Sequence, residues 1–169
     1  KYIEVQGGFN AAKDLIDSNP QQYVNKLLQV LNSNKIKTKS AAVSIPVSIS
    51  YTEVVNLPLM TDEELKEAVS TDSLWENAEQ VKLAGNLDEY SIYWQVLKRE
   101  TAENRMDILF VASKLDDIDK YLDVVRQAGL NPVVVDVRCF SIRNALELRK
   151  DLDDRDQTVT IVEFGAFEN

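Results

Sequence analysis

The fold class is indicated most clearly by residues 106–148, MDILFVASKLDDIDKYLDVVRQAGLNPVVVDVRCFSIRNALEL. In this stretch, apolar runs alternate with a helical pattern. The run MDILFVAS predicts a strand, and the stretch that follows it places apolar residues at helical spacing. Gly129 stands where it can end that helix in a left-handed conformation. The next run, NPVVVDVRCF, is almost continuously apolar, which is typical of a strand covered on both faces. A second helix is predicted after it.

A further apolar run, TVTIVEF at residues 158–164, extends this alternation by one more strand. Strand, helix, strand, helix, strand is the order of right-handed β-α-β units, in which consecutive strands run parallel in one sheet. We therefore predict an α/β fold with some parallel pairing from residue 106 onward.

The chain before residue 106 adds helices and further strands. Residues 18–34 predict a helix that Ser18 or Asn19 caps, with its apolar residues on one face. Two β-rich runs, which begin at residues 41 and 49, lie too close for a crossover helix between them. We predict that they form a hairpin or a bent pair.

Two local signals are clearer than the rest. Thr61 and Glu64 have the spacing of a capping box, in which each side chain satisfies a backbone N–H of the other residue, so a helix is predicted to begin there. The run EYSIYWQVLKR at 89–99 is joined to the strand at residue 106 by the polar ETAEN, which has the length of a hairpin turn.

Composition limits the class of protein. The chain has 169 residues, of which 44% are hydrophobic, enough for one substantial core. It carries 28 Asp and Glu against 19 Lys and Arg, a net charge of −9 that disfavours nucleic acid as a partner. It has no histidine, which excludes Ser-His and Cys-His nucleophiles. Its single cysteine, Cys139, is predicted to be a small buried core residue.

No apolar stretch approaches the roughly 20 residues that span a bilayer. No signal-peptide pattern precedes the first residue. We expect a soluble fragment, excised from a parent chain that is itself membrane-anchored or membrane-associated.

Four carboxylates in predicted strands raise the alternative of a metal-dependent nuclease: Glu53, Asp107, Asp136 and Glu163. Two catalytic cations need at least three such groups that converge on one open face. The acidic charge of the chain and its lack of a basic track favour a structural role for these residues. We predict no catalytic residue and no metal site.

Aromatic residues mark the candidate surface for a protein partner. In the strand at 89–99, alternate residues including Trp94 form one face that packs into the core, and Tyr93 takes the other face. Tyr90 lies at the start of this strand, and Trp75 lies in a polar stretch upstream. We predict Trp75, Tyr93 and Tyr90 as partner-binding residues.

Three stretches, in this order, resemble PilM, the actin-like cytoplasmic protein of type IV pilus assembly. SAAVSIPVSISYTEVVNLPLMTDEEL at 40–65 resembles a strand, an LP break and a helix that begins with S-x-E-E-L. Residues 106–148 resemble the family's strand, helix, AGL-x-P turn and VVDV strand. TVTIVEFGAFEN at 158–169 resembles the strand at which the family's second phosphate loop begins. The resemblance covers roughly residues 35–165, and the order of its motifs makes it specific.

The resemblance implies a partial actin-like, ribonuclease-H-related fold, a mixed sheet flanked by helices. It implies one domain over 1–169, in which about 40–105 form the small inserted subdomain and 106–169 the β-α-β core. Related proteins include GspL of type II secretion. The implied function is a non-enzymatic scaffold at the cytoplasmic face of the bacterial inner membrane, with the assembly or secretion ATPase and inner-membrane platform proteins as partners.

The sequence departs from the family at both phosphate loops. No DIG-x-x-x-x-K motif precedes residue 35, and Glu163 stands where the second loop has Asp. Phe167 and Glu168 then replace small residues, and they would crowd and repel a phosphate. We therefore expect no nucleotide cofactor. The alternative is a nucleotide-binding actin-like module whose second lobe lies beyond Asn169.

Overall fold

The computed structural model describes residues 16–70, 73–76, 78, 80–148 and 159–162. The elements, in chain order, are α1 Pro20–Ser33, β1 Ser40–Ile45, β2 Ser50–Pro58, α2 Asp62–Ser70, α3 Ser73–Glu76, β3 Tyr90–Glu100, β4 Arg105–Lys114, α4 Leu115–Gln127, β5 Asn131–Val137 and α5 Arg138–Glu147. This architecture is mixed α/β, with one parallel and one antiparallel sheet and with helices beside the strands, which confirms the predicted class. No helix formed by the described residues is long and apolar enough to cross a membrane.

The antiparallel sheet has the order β2-β4-β3 and is built on the predicted hairpin. A 3₁₀ turn at Thr101–Glu103 joins β3 to β4, and Asn104 closes it with a φ of 51°, a left-handed conformation that Asn tolerates. One face of the sheet packs into a core whose buried residues are Val55, Leu57, Leu65, Trp75, Ala78, Met106, Ile108, Phe110 and Ala112. The prediction of the hairpin is confirmed.

Helix α2, which packs onto this core, begins at the predicted capping box. The Glu64 backbone N–H donates to Thr61 Oγ1 at 3.3 Å, and the Thr61 N–H donates to Glu64 Oε2 at 2.8 Å. The Thr61 N–H and the Thr61 hydroxyl both donate to the Glu64 carboxylate, and these two hydrogen bonds lower the pKa of Glu64 from its ordinary value. The helix then buries Leu65.

The parallel sheet pairs β1 with β5 over the register Ser40 to Asn131 through Ile45 to Val137. Helices α1 and α4 share a separate core cluster of Ile16, Val24, Val124 and Ala128. Asn19 caps α1, and its side chain accepts a hydrogen bond from the Gln22 N–H. Gly129 follows α4 with a φ of 74°, the left-handed conformation predicted for it. Both helix predictions are confirmed.

Two predictions about strand pairing are wrong. Strands β1 and β2 do not pair with each other, because the residues between them lead β2 into the antiparallel sheet and leave β1 to pair with β5. Strands β4 and β5 do not share a sheet either, since both neighbours of β4 are antiparallel strands. Parallel pairing is present, but it joins β5 to a strand about 90 residues upstream.

The chain divides into two compact units. One consists of residues 47–117, and the other consists of residues 1–46 together with residues 118–169. We call them the insert unit and the outer unit. This grouping differs from the expected division at residue 105, because β4 belongs with β2 and β3, and β1 belongs with β5. The insert unit carries six Lys and Arg against 15 Asp and Glu, while the outer unit carries 13 of each. All of the net charge of −9 therefore lies on the insert unit.

Three further predictions differ from the structure. The apolar residues Val133, Val134 and Val135 of β5 are exposed, so the strand is not covered on both faces. Cys139 is exposed near the start of α5 instead of buried, because the helix begins earlier than its sequence pattern indicates. Within the predicted closing strand, residues 159–162 have no regular secondary structure and are exposed, and the other positions lie outside the described residues.

Candidate protein-contact surface

The face of the antiparallel sheet opposite the core presents apolar side chains to solvent. The register aligns Tyr93 of β3 with Val111 of β4 and Thr52 of β2, and two residues further along it aligns Gln95 with Leu109 and Val54. We call this surface the Tyr93 face: Val54, Tyr93, Leu97, Leu109 and Val111. Tyr93 is 58% exposed, Val54 and Leu97 are exposed, Leu109 is half-buried, and Val111 is buried.

Polar groups lie at both ends of the apolar residues of the Tyr93 face. At one end, Asn56 Nδ2 donates to Asp107 Oδ1 at 2.7 Å. At the other end, the hydroxyls of Ser50 and Ser113 lie 2.8 Å apart. An apolar centre with a hydrogen-bonded polar border is the anatomy of a protein-protein interface.

Of the three predicted contact residues, Tyr93 alone stands free on the surface. Trp75 is only 1% exposed, and its ring lies 4.8 Å from that of Phe110, so its prediction as a contact residue is corrected: it fills the core under the sheet. Tyr90 is half-buried against the same core, and its hydroxyl donates to the Ala84 carbonyl at 2.8 Å. The Lys114 ammonium lies 5.7 Å from the Tyr90 ring centroid. Tyr90 is thus largely occupied by contacts within the chain.

Sequence reasoning missed Val54 and Leu97 as members of the Tyr93 face. The alternation in β2 buries Val55 and Leu57, which leaves Val54 on the opposite side. That signal was present in the sequence, but it could be used only once the inward face of β2 was known. Leu97 lies four residues after Tyr93, so the alternation along β3 that turns Trp94 inward places Leu97 on the same exposed face as Tyr93.

A group of charged residues closes the end of the hairpin beside the Tyr93 face. Glu100 pairs with Lys98 and with Arg105, whose Nη2 lies 2.7 Å from Glu100 Oε2. Hydrogen bonds from Lys98 and Arg105 lower the pKa of Glu100 to about 2. The same contacts raise the pKa values of Lys98 and Arg105. The arrangement fixes the turn between the two strands.

The carboxylates considered for a nuclease do not converge in the part of the chain that is described. Glu53 pairs in register with Phe110 and Asp107 with Asn56, so that these two carboxylates belong to opposite faces of the sheet. Asp136 lies in the other unit, where it accepts hydrogen bonds from the Val137 N–H and from Asn144. Glu163 lies outside the described residues, as does the rest of the second phosphate loop. The described residues contain no group of three such ligands placed to hold a metal ion.

The outer unit contains a cavity of about 320 Å³ between α1, α4 and β1. Its lining is mainly apolar and includes Tyr23, Leu27, Val43 and Val124, with Arg138 contributing a cation. Burial raises the pKa of Tyr23, so its hydroxyl stays protonated at neutral pH. The cavity is suited to apolar side chains, because phosphates require several converging donors.

A family model described as type IV pilus assembly protein PilM matches residues 9–169. This chain belongs to the PilM family. Among solved structures, the chain is similar to one titled "PilM-PilN type IV pilus biogenesis complex", with 19% identity and a TM-score of 0.58 over 78% of this chain and 38% of that one. It is also similar to the cytoplasmic domain of EpsL, an inner-membrane component of the type II secretion system of Vibrio cholerae. There the identity is 15% and the TM-score 0.44, over 68% of this chain and 42% of that one.

The PilM-family chain therefore spans about two fifths of the length of each of these two chains. At 19% identity, the first comparison shows the fold alone. No curated protein sequence matches the chain. The family assignment confirms the resemblance to PilM stated from the sequence motifs, and it places the chain in a family of type IV pilus assembly proteins.

Proposed function

We propose that this chain is a non-enzymatic scaffold domain that joins an inner-membrane platform protein to the assembly ATPase on the cytoplasmic face of the inner membrane. The observation that carries the proposal is the Tyr93 face, an exposed apolar surface on the unit that holds all the net negative charge. The membership of this chain in the PilM family supports a role in pilus assembly.

Charge favours a membrane protein as the partner that binds the Tyr93 face. The cytoplasmic segments of inner-membrane proteins carry an excess of Lys and Arg near their membrane spans. An insert unit with 15 acids against six bases attracts such segments and raises their rate of encounter. Tyr93 then supplies the kind of side chain, large, rigid and amphipathic, that contributes most to interface affinity.

Within the family, the short acidic chain without preserved nucleotide motifs resembles BfpC of the bundle-forming pilus. We propose that it serves a pilus system of that kind. Its neighbouring genes test this assignment: a pilus ATPase and a polytopic membrane protein beside it are expected, and genes of an unrelated process would contradict it.

Calorimetric titration tests the contact surface. The full chain is titrated with the cytoplasmic segment of the platform protein from the same assembly, and separately with the ATPase. Tyr93→Ala and Leu97→Ala are each expected to weaken platform binding by about tenfold or more. Leu148→Ala, at a highly exposed apolar residue of the outer unit, is the matched control and leaves the affinity unchanged. Equal affinity for wild type and Tyr93→Ala would refute the assignment of this face.

A second titration, with ATP and Mg²⁺, separates the scaffold from the nucleotide-binding alternative. The scaffold predicts no heat of binding, because bulky and anionic residues follow Glu163. Measurable binding would instead support an actin-like nucleotide module that is completed by further chain.

A further inference from the structure

The Tyr93 face has a shallow groove along its central strand, β4. Val111 of β4 is only 5% exposed and Leu109 is half-buried, whereas Val54 on β2 and Tyr93 and Leu97 on β3 are all exposed. Neighbouring strands lie about 4.8 Å apart, so a three-stranded sheet is roughly 10 Å wide, which is close to the diameter of an α-helix. The width of the groove therefore suits one helix.

The two outer strands of this sheet are poorly suited to accept a further strand. The pairing of β3 with β4 is irregular between Val96 and Lys98. Strand β2 carries the exposed charge of Glu53, which pairs in register with the inward-facing Phe110, and it ends at Pro58, which has no N–H to donate. Irregularities, charges and prolines in outer strands oppose the addition of another strand. These strands favour an occupant that packs on the face of the sheet.

The apolar part of the groove has the length of a short helix. Tyr93 and Leu97 lie four residues apart on β3, which is about 13 Å at roughly 3.3 Å per residue. A helix rises about 1.5 Å per residue, so roughly nine residues cover this distance. One face of such a helix presents apolar residues at positions i, i+3, i+4 and i+7. Helix α2 already covers the other face of this sheet with Leu65, so a second helix would complete three layers.

Charge differs between the two ends of the groove. We call the end at which the hydroxyls of Ser50 and Ser113 meet the serine end. Residues 88–90 and 114–117, which adjoin the serine end, contain four acidic residues and one lysine. Residues 98–105, at the hairpin end, contain three basic and two acidic residues. The serine end therefore attracts basic side chains of a partner.

We propose that the occupant of the Tyr93 face is a single amphipathic helix of the platform protein. The helix lies along β4, with its apolar residues on Leu109 and Val111 and its basic residues at the serine end. This inference rests on the proposed function, because it takes the Tyr93 face as the surface that binds the platform. It adds that the bound segment is helical, and that the acidic residues at one end of the sheet select it.

Nuclear magnetic resonance tests the conformation of the bound segment. The cytoplasmic segment of the platform protein, labelled with carbon-13, is titrated with the full unlabelled chain. Positive Cα secondary shifts are expected over about nine or more consecutive residues, because a helix of that length fills the groove. A proline in the middle of this stretch is expected to weaken binding by roughly tenfold or more, because it breaks the helix. Negative Cα secondary shifts, typical of an extended segment, would overturn the proposal.

Two double variants test the serine end. Asp88→Asn with Glu89→Gln removes two charges beside it, and is expected to weaken binding about fivefold at low salt and less at about 0.5 M salt. The matched control, Glu63→Gln with Glu67→Gln, removes the same charge from exposed positions of α2, which packs on the other face of the sheet. It is expected to leave the affinity within about twofold of wild type. Equal losses for the two double variants would overturn the placement of the basic residues at the serine end.

Tyr93→Ala distinguishes failure of this inference from failure of the proposed function. If Tyr93→Ala lowers the affinity and the bound segment is extended, this inference fails and the proposed contact surface stands. If Tyr93→Ala keeps full affinity, the platform binds elsewhere, and both the proposed contact surface and the helix on it are refuted. Circular dichroism and thermal melts confirm that each variant is folded before titration.

Discussion

The insert unit and the outer unit differ in how the faces of their sheets are covered. The insert unit is one continuous stretch, in which helices α2 and α3 cover one face of an antiparallel sheet and Tyr93 stands exposed on the other. The outer unit is assembled from two distant stretches, and its parallel strands leave the valines of β5 exposed. An antiparallel sheet tolerates one wet face, whereas a parallel sheet does not. We therefore interpret the exposed residues differently: as the proposed docking face in the insert unit, and in the outer unit as the uncovered side of a sheet of which two strands are described.

The two units also have separate cores. The cluster around Phe110 draws all its residues from 47–117, and the cluster around Val124 draws all its residues from the outer unit. A cavity made in one core removes contacts from that core alone. We expect the stability of each unit to respond mainly to its own substitutions.

The largest effect is expected from Trp75→Ala. Trp75 is buried against Phe110 under the antiparallel sheet, and removal of so large a side chain costs about 3–5 kcal/mol of unfolding free energy. Urea unfolding measures the loss. Hydrogen exchange resolved by segment is expected to show lost protection in β4 and retained protection in α1 and α4.

The matched substitution in the outer unit is Val124→Ala. It removes two buried methyl-sized groups, so the expected cost is about 2 kcal/mol, and α1 and α4 are expected to lose protection while β4 keeps it. Equal loss of protection in both units for either variant would contradict the independence of the two units, because it would show that their cores unfold together.

Gly129→Ala tests the turn that leads into β5 in the outer unit. Gly129 has a φ of 74°, and a left-handed conformation costs a residue with a Cβ about 1–2 kcal/mol. The control is Gly129→Asn, since Asn tolerates this conformation better and is expected to lose less stability. Chemical denaturation measures both. An Ala variant as stable as wild type would show that the turn can relax.

Thr61→Ala tests the start of α2 in the insert unit. Loss of the cap is expected to cost about 1 kcal/mol, because the Glu64 N–H loses its acceptor. Thr61→Ser retains the hydroxyl and is expected to stay within a few tenths of a kcal/mol of wild type. The free energies of unfolding in urea check the pair, and equal losses for Ala and Ser would contradict the capping role.

The smallest effect is expected from Glu100→Gln and is visible in its pH dependence. The pKa of Glu100 is lowered from 4.5 to about 2 by Lys98 and Arg105. A lowered pKa means that the ionised carboxylate stabilises the folded state above pH 4.5, and that this contribution is lost as the pH falls through about 2. Wild type is therefore expected to exceed Glu100→Gln in stability at pH 6 by an amount that shrinks toward pH 2. A constant difference across this range would exclude the ion pairs as its cause.

Much of the insert unit could be predicted from sequence because its signals are local. The capping box and the polar turn between β3 and β4 act within a few residues, and the structure has both. The pairing of β1 with β5 could not be predicted in the same way, because its partners lie about 90 residues apart and each run resembles any other apolar strand. The prediction that Trp75 is a contact residue differs from the structure for a related reason. A polar stretch surrounds Trp75 in sequence, while its burial depends on Phe110, which is distant in the chain.

Hydrogen-deuterium exchange of the full chain, with and without the cytoplasmic segment of the platform protein, tests whether the Tyr93 face binds the platform. Binding is expected to slow exchange in β2 and β3, the two outer strands of the sheet that bears Tyr93, and to leave exchange in α1 and α4 unchanged. Slowed exchange confined to the outer unit, at an affinity that Tyr93→Ala does not alter, would contradict it.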